Sequence, residues 1–165
     1  MAQGWCRVSA TQDFTHFAET TAPIERVAEL IADSDNWYRW TRPYVAQSRC
    51  ERWGSGLVHG VGSIRRVGLA PVWIREMVTD WDPRSHQTYT ILSPRLFNRY
   101  RGIIQFSESV DGGTRIAWSV DFEPRVRPAG PLLRAGMSAV IRVLVNQLAQ
   151  AGDRVAEPKK WEVRR

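Results

Sequence analysis

Between Arg127 and Val155, the residues Leu133, Gly136, Met137, Val140, Ile141, Leu144, Leu148, Ala151 and Val155 recur at the spacing that gathers them on one helical face. Arg142, Asn146 and Asp153 fall opposite. The pattern predicts one long amphipathic helix over 127–155. Pro131 suits its first turn, where a missing N–H costs nothing and φ is already helical, and Pro158 forbids continuation. An apolar stripe of this length needs a large apolar partner, and the upstream chain has the period of strands.

Residues 1–12 carry no clear periodicity and read as a loose lead-in. From Asp13 to Thr21, Phe14, His16 and Ala18 alternate with Thr15, Phe17 and Glu19, as in a first strand. Thr21 is placed to cap a helix with Pro23 in its first turn and Ile24, Val27, Ala28 and Ile31 on one face. Asp33-Ser34-Asp35 then restarts a short helix, the two aspartates reading as caps, with Trp37 and Trp40 three apart on one side.

After Pro43 six β segments follow, approximately Tyr44 to Trp53, Gly62 to Gly68, Val72 to Trp81, His86 to Leu92, Asn98 to Ser109 and Gly113 to Glu123. Gly54-Ser55-Gly56, Gly60 to Gly62, Asp82-Pro83, Ser93-Pro94 and Asp111-Gly112-Gly113 punctuate them, the last being the strongest hairpin signal. Ile116, Trp118, Val120 and Phe122 should face inward, and so should Tyr100, Gly102, Ile104 and Phe106. A register slip of one residue would exchange the faces.

Composition bounds this picture without changing it. With 165 residues, 43% of them hydrophobic, the chain fits one globular domain over 13–157 with a basic tail at 158–165. Net charge is +6, but lysine occurs only at Lys159 and Lys160, so the excess is arginine dispersed along the chain. Nucleic-acid binders usually cluster such charge on one face, so no nucleic-acid partner is expected. Lys159, Lys160, Arg164 and Arg165 read as a solvated tail. Cys6 and Cys50 lack CxxC spacing and read as free thiols in a reducing compartment. No signal-like apolar core and no apolar run near 18 residues is evident, so a cytoplasmic location without a membrane span is expected.

The order strand, two short helices, antiparallel meander and long C-terminal helix is informative as a whole. So are Ala22-Pro23 opening the first helix, Trp81-Asp82-Pro83 ending a strand, and Gly112-Gly113-Thr114 before Ile116-Ala117-Trp118. With these features the chain resembles the START-like, helix-grip superfamily of polyketide cyclases and lipid-transport proteins, over about Asp13 to Val155. The resemblance implies an α+β helix-grip fold: a curved antiparallel sheet of about seven strands wrapped around the long helix. It also implies a cavity between helix and sheet, open near the short helices and loops; periodicity alone allows a solid core.

Eight tryptophans are present, and Trp37, Trp40, Trp53, Trp73, Trp81 and Trp118 fall in the region that would build this cavity. Aromatic walls suit planar or polycyclic ligands, though core filling is the plain alternative. The aromatase/cyclase branch of the superfamily carries a Trp in the second short helix and a Tyr just after it, similar to Trp37 and Tyr44. It also carries Trp, Trp, Ser and Arg at alternate positions of the strand before the Asp-Pro turn; the matching positions here hold Trp73, Arg75, Met77 and Thr79. The arginine proposed to polarise a polyketide carbonyl is thus absent from its family position, and Arg75 is the nearest substitute of the same strand parity.

The helix wall has Val140 and Leu148 where that branch carries polar groups, and Gly136 beside Met137 either makes room for a ligand or admits a close strand. The expected lining is Trp37, Trp40, Tyr44, Trp73, Arg75, Met77, Tyr100, Ile104, Trp118, Val120, Phe122, Gly136, Met137, Val140 and Leu144. His16, His59 and His86 stand in separate segments, so no metal is expected, and phosphate-loop or nucleophile motifs are absent, so neither is a cofactor. The leading expectation is a monomer or homodimer that carries or sequesters a hydrophobic small molecule such as a lipid, isoprenoid or aromatic polyketide, without catalysis. The alternative is an aromatase/cyclase or dehydratase using Arg75 and Tyr44 on an enolate. A module that binds partners through its basic surface is a third class, suggested only by charge.

Overall fold

The structure, a computed structural model, describes residues 11–54 and 60–156, and the backbone alone at Val155 and Ala156. Cys6 and most of the lead-in, Ser55, Gly56, His59 and the basic tail lie outside the described residues. The elements run β1 (Gln12–Thr20), α1 (Ile24–Ala32), a 3₁₀ turn (Ser34–Asn36), α2 (Tyr38–Thr41) and β2 (Gln47–Arg52). Then follow β3 (Ile64–Leu69), β4 (Val72–Asp82), β5 (His86–Ser93), β6 (Phe97–Glu108) and β7 (Thr114–Pro124). A 3₁₀ turn at Arg127–Ala129 leads into α3 (Gly130–Ala156), so the long helix starts three residues later than its periodicity suggests.

The seven strands form one antiparallel sheet in the order β1-β7-β6-β5-β4-β3-β2. This is the helix-grip architecture. Strict alternation drives its best-formed part. In β7 every inward residue from Ile116 to Phe122 is buried, and Phe14, His16 and Ala18 of β1 pair with Val120, Trp118 and Ile116. The β6–β7 hairpin closes through Gly112, whose positive φ of 84° suits a residue without Cβ.

Pairing is weakest between β5 and β6, which are in register only over His86–Tyr89 and Gly102–Gln105. Beyond Tyr89 the strands are joined by the Thr90 hydroxyl donating to the Tyr100 carbonyl, at 2.8 Å.

α3 packs chiefly on β1 and β7 and against α1 and α2. Its C-terminal half is buried on several sides through Ile141, Leu144, Val145, Leu148, Ala149 and Ala151. Asp153, expected on the solvent side, instead accepts hydrogen bonds from the Thr20 hydroxyl at 2.7 Å, the Thr21 backbone N–H at 2.8 Å and the Thr21 hydroxyl at 2.9 Å. Thr21 is therefore occupied with Asp153, and α1 begins after Pro23 with no side-chain cap. Asp33 and Asp35 do not cap either: Asp33 accepts from the Asn36 amide and Asp35 from the Cys50 backbone N–H.

The N-terminal half of α3 is different. Arg134 donates to the Asp13 carbonyl and Ser138 bonds His16, which fastens one side to β1, while Leu132, Gly136 and Val140 are exposed. Within Arg127–Arg154 an 18-residue stretch reaches a mean hydropathy of 1.2, enough by length and composition to cross a membrane. A core helix passes the same test, and this one lies across the sheet.

Candidate functional site

Where α3 stands away from the sheet, a cavity of about 450 Å³ opens. The helix contributes Gly136, Met137, Val140, Ile141 and Leu144 to its lining. Facing them are Val67 and Leu69 of β3, Val72, Ile74 and Glu76 of β4, Tyr89 and Ile91 of β5, Tyr100 of β6 and Trp118 of β7. Trp37, Tyr44 and Val45 close the end near α2. The rim is apolar and open: Leu69 and Val72, at the β3–β4 hairpin, are 53% and 63% exposed, and Tyr44 and Val140 are also exposed.

One polar cluster backs this cavity. Arg65, on β3, donates from Nε to Glu76 Oε2 at 2.8 Å and from Nη1 to Gln87 Oε1 at 2.8 Å, with all three residues buried. Its guanidinium lies 3.9 Å from the centroid of the Trp37 ring and 5.1 Å from that of Tyr89. Both tryptophan N–H groups are committed: Trp37 Nε1 donates to the Ile31 carbonyl at 3.0 Å, and Trp118 Nε1 to Tyr89 Oη at 2.9 Å. Tyr100 packs with its ring 6.0 Å from that of Tyr89. Burial, then the neighbouring charge of Glu76, pushes the Tyr89 phenol well above the usual value. Tyr100 is raised likewise, first by burial and then by Tyr89. Both phenols therefore stay protonated through the neutral range.

The expected lining divides into three groups. Trp37, Tyr44, Tyr100, Trp118, Gly136, Met137, Val140 and Leu144 line the cavity. Gly136 has open space where a Cβ would stand, so no strand approaches it. Trp40, Ile104, Val120 and Phe122 are buried in the solid core instead, Trp40 against Trp37 with ring centroids 5.5 Å apart.

Trp73, Arg75 and Met77 point the other way, and this corrects the face assigned to β4. Arg75 is 45% exposed and donates to Glu51 at 2.7 Å on the outer surface. Trp73 packs under the Arg66 guanidinium, 4.4 Å away, beside a shallow outer depression that also involves Tyr38, Arg42 and Arg49. Met77 Sδ lies 3.9 Å from Arg52 Nη2 on that same outer side. Trp81 returns to the core against Phe106 because the register shifts between Val78 and Asp80, and Trp53 is exposed.

Sequence reasoning missed Arg65, Glu76, Gln87 and Tyr89. A signal was available: once β3 and β4 are paired as a hairpin through Leu69 and Val72, Arg65 falls opposite Glu76 and Val67 opposite Ile74 on one face.

The comparisons agree with this architecture. Residues 11–153 match the family described as polyketide cyclase/dehydrase and lipid transport. A solved protein of Nitrosospira multiformis superposes with a TM-score of 0.67 at 19% identity, covering 88% of this chain and 99% of its own. The Bacillus cereus protein XoxI gives 0.69 at 20%, with the same coverage of both chains. Ara h 8.0201 gives 0.68 at 13%, covering 89% of this chain and 99% of its own. At these identities the likeness concerns the fold. No curated protein matches the chain significantly. With the match spanning nearly the whole described fold, the chain belongs to the polyketide cyclase/dehydrase and lipid-transport family.

Proposed function

We propose that the chain binds a hydrophobic small molecule in the cavity between α3 and the concave sheet, and carries or sequesters it without catalysis. The observation that carries this reading is a cavity of about 450 Å³, apolar over most of its wall, whose mouth is ringed by exposed apolar residues. That volume lies in the range of small-molecule sites, roughly 300–1,000 Å³, and exposed apolar groups around a concave opening mark a place where apolar matter enters. The cyclase alternative built on Arg75 loses its support, because Arg75 is on the outer face with Glu51.

The test is titration with the apolar fluorophore N-phenyl-1-naphthylamine, with Trp37 and Trp118 as donors in the cavity wall, together with native mass spectrometry of the purified protein. Saturable one-to-one uptake is expected, and Gly136→Trp, which places a large ring at the mouth, should reduce it. Absence of uptake, with no co-purifying ligand, would overturn the reading.

A further inference from the structure

We propose that the cavity selects ligands whose innermost group is a neutral hydroxyl, an alcohol or phenol, and discriminates against ligands that lack an O–H donor or carry a carboxylate there. This deepens the reading above and rests on it.

Among the described residues, Glu76 is the one charged side chain on the cavity lining. It lies four residues along β4 from Val72 at the rim, a depth of about 13 Å at roughly 3.3 Å per residue. Its Oε2 is occupied by Arg65, and no other hydrogen bond reaches the carboxylate among the described residues. The second oxygen thus offers acceptor capacity in a wall that is mostly apolar.

The charge state of this floor decides which ligand fits. Glu76 and Arg65 neutralise each other, so an entering ligand is not required to bring a counter-charge. A carboxylate would be buried beside the Glu76 carboxylate with no cation among the described lining residues: Arg65 is not part of the wall, and its unpartnered Nη2 is buried, with the guanidinium over the Trp37 ring. Burying such an unpaired charge is strongly unfavourable. The tryptophans cannot compensate, since both N–H groups are already donated within the protein. A hydroxyl meets these conditions, because it is neutral and its proton goes to the free Glu76 oxygen. A donor that finds a charged acceptor in a dry site is held much more strongly than an apolar group of the same shape.

The experiment is displacement of N-phenyl-1-naphthylamine at neutral pH by 1-decanol, its methyl ether and decanoate, which share one chain and differ in the end group. Decanol should displace the probe at a concentration about tenfold lower than either competitor. In Glu76→Gln, which leaves Arg65 uncompensated, decanoate should gain on decanol. If that variant does not fold by circular dichroism, the double variant Arg65→Met with Glu76→Leu removes both charges, and decanol and its ether should then compete equally. Equal competition by alcohol and ether in the wild type, or an alcohol advantage that survives in the double variant, overturns the inference while leaving hydrophobic binding intact. Failure of the probe itself to bind removes both.

Discussion

Tyr89 lies across Gly102: the two are paired on β5 and β6, and a Cβ on Gly102 would fall 2.2 Å from the Tyr89 ring. The ring occupies the place of the missing side chain, and this sets its hydroxyl against Trp118. Gly102→Ala should therefore displace the phenol, at a cost of about 1–3 kcal/mol, and weaken probe uptake because Tyr89 is part of the cavity wall. Urea denaturation and fluorophore titration check both effects.

The buried Arg65–Glu76 pair gives a second prediction. Removing one partner, as in Arg65→Ala, strands a buried charge and should cost about 3–5 kcal/mol. The double variant Arg65→Met with Glu76→Leu should cost clearly less than the two single changes added together. A double-mutant cycle on chemical denaturation measures the difference; simple additivity would mean that the pair is not energetically coupled.

Asp153 links the end of α3 to the end of β1. The Thr20 hydroxyl, then the Thr21 backbone N–H, hold its carboxyl below the ordinary value of 3.8. A depressed folded-state pKa means that the stabilisation is complete above the ordinary carboxylate range and is lost as pH falls through the lower folded value. Asp153→Asn should cost about 1–2 kcal/mol at neutral pH and flatten the stability profile below about pH 4. Thermal unfolding across pH 2–7 is the check.

Gly136 sits in the middle of a helical turn with nothing within 4 Å of its missing Cβ. Gly136→Ala should raise stability by about 0.5–1 kcal/mol through helix propensity alone, with probe affinity unchanged within twofold. A loss of stability would show that the position is more crowded than the structure indicates.

Arg75→Ala removes an exposed ion pair with Glu51. Its expected cost is at most about 1 kcal/mol, with no change in ligand uptake.

How much was legible in the chain depended on how one-sided each element is. β7 alternates so cleanly, with Ile116, Trp118, Val120 and Phe122 against Arg115, Ser119 and Asp121, that its buried face could be read at once. β4 could not be read in this way. It carries apolar residues on both parities, Trp73 and Met77 on one and Ile74 and Val78 on the other, so periodicity leaves the face open. What decides it is a charge, Glu76, which turns inward only because Arg65 stands opposite. Single-strand reasoning treats both as surface markers. The lower half of the cavity was hidden for the same reason. The helix wall was visible in Met137, Val140 and Leu144, whereas the polar floor came from a pairing between strands.

The helix is fastened to β1 and β7 and stands off from the strands beyond them, so the region between Leu144 and Ile91 is a piece of hydrophobic core left unbuilt. A molecule lodged there would take the part of absent side chains. Folding and occupancy then become one equilibrium: an occupant at a hundred times its dissociation constant adds about 2.7 kcal/mol to the native state. The melting temperature of this protein would thus act as a gauge of how much ligand its surroundings supply.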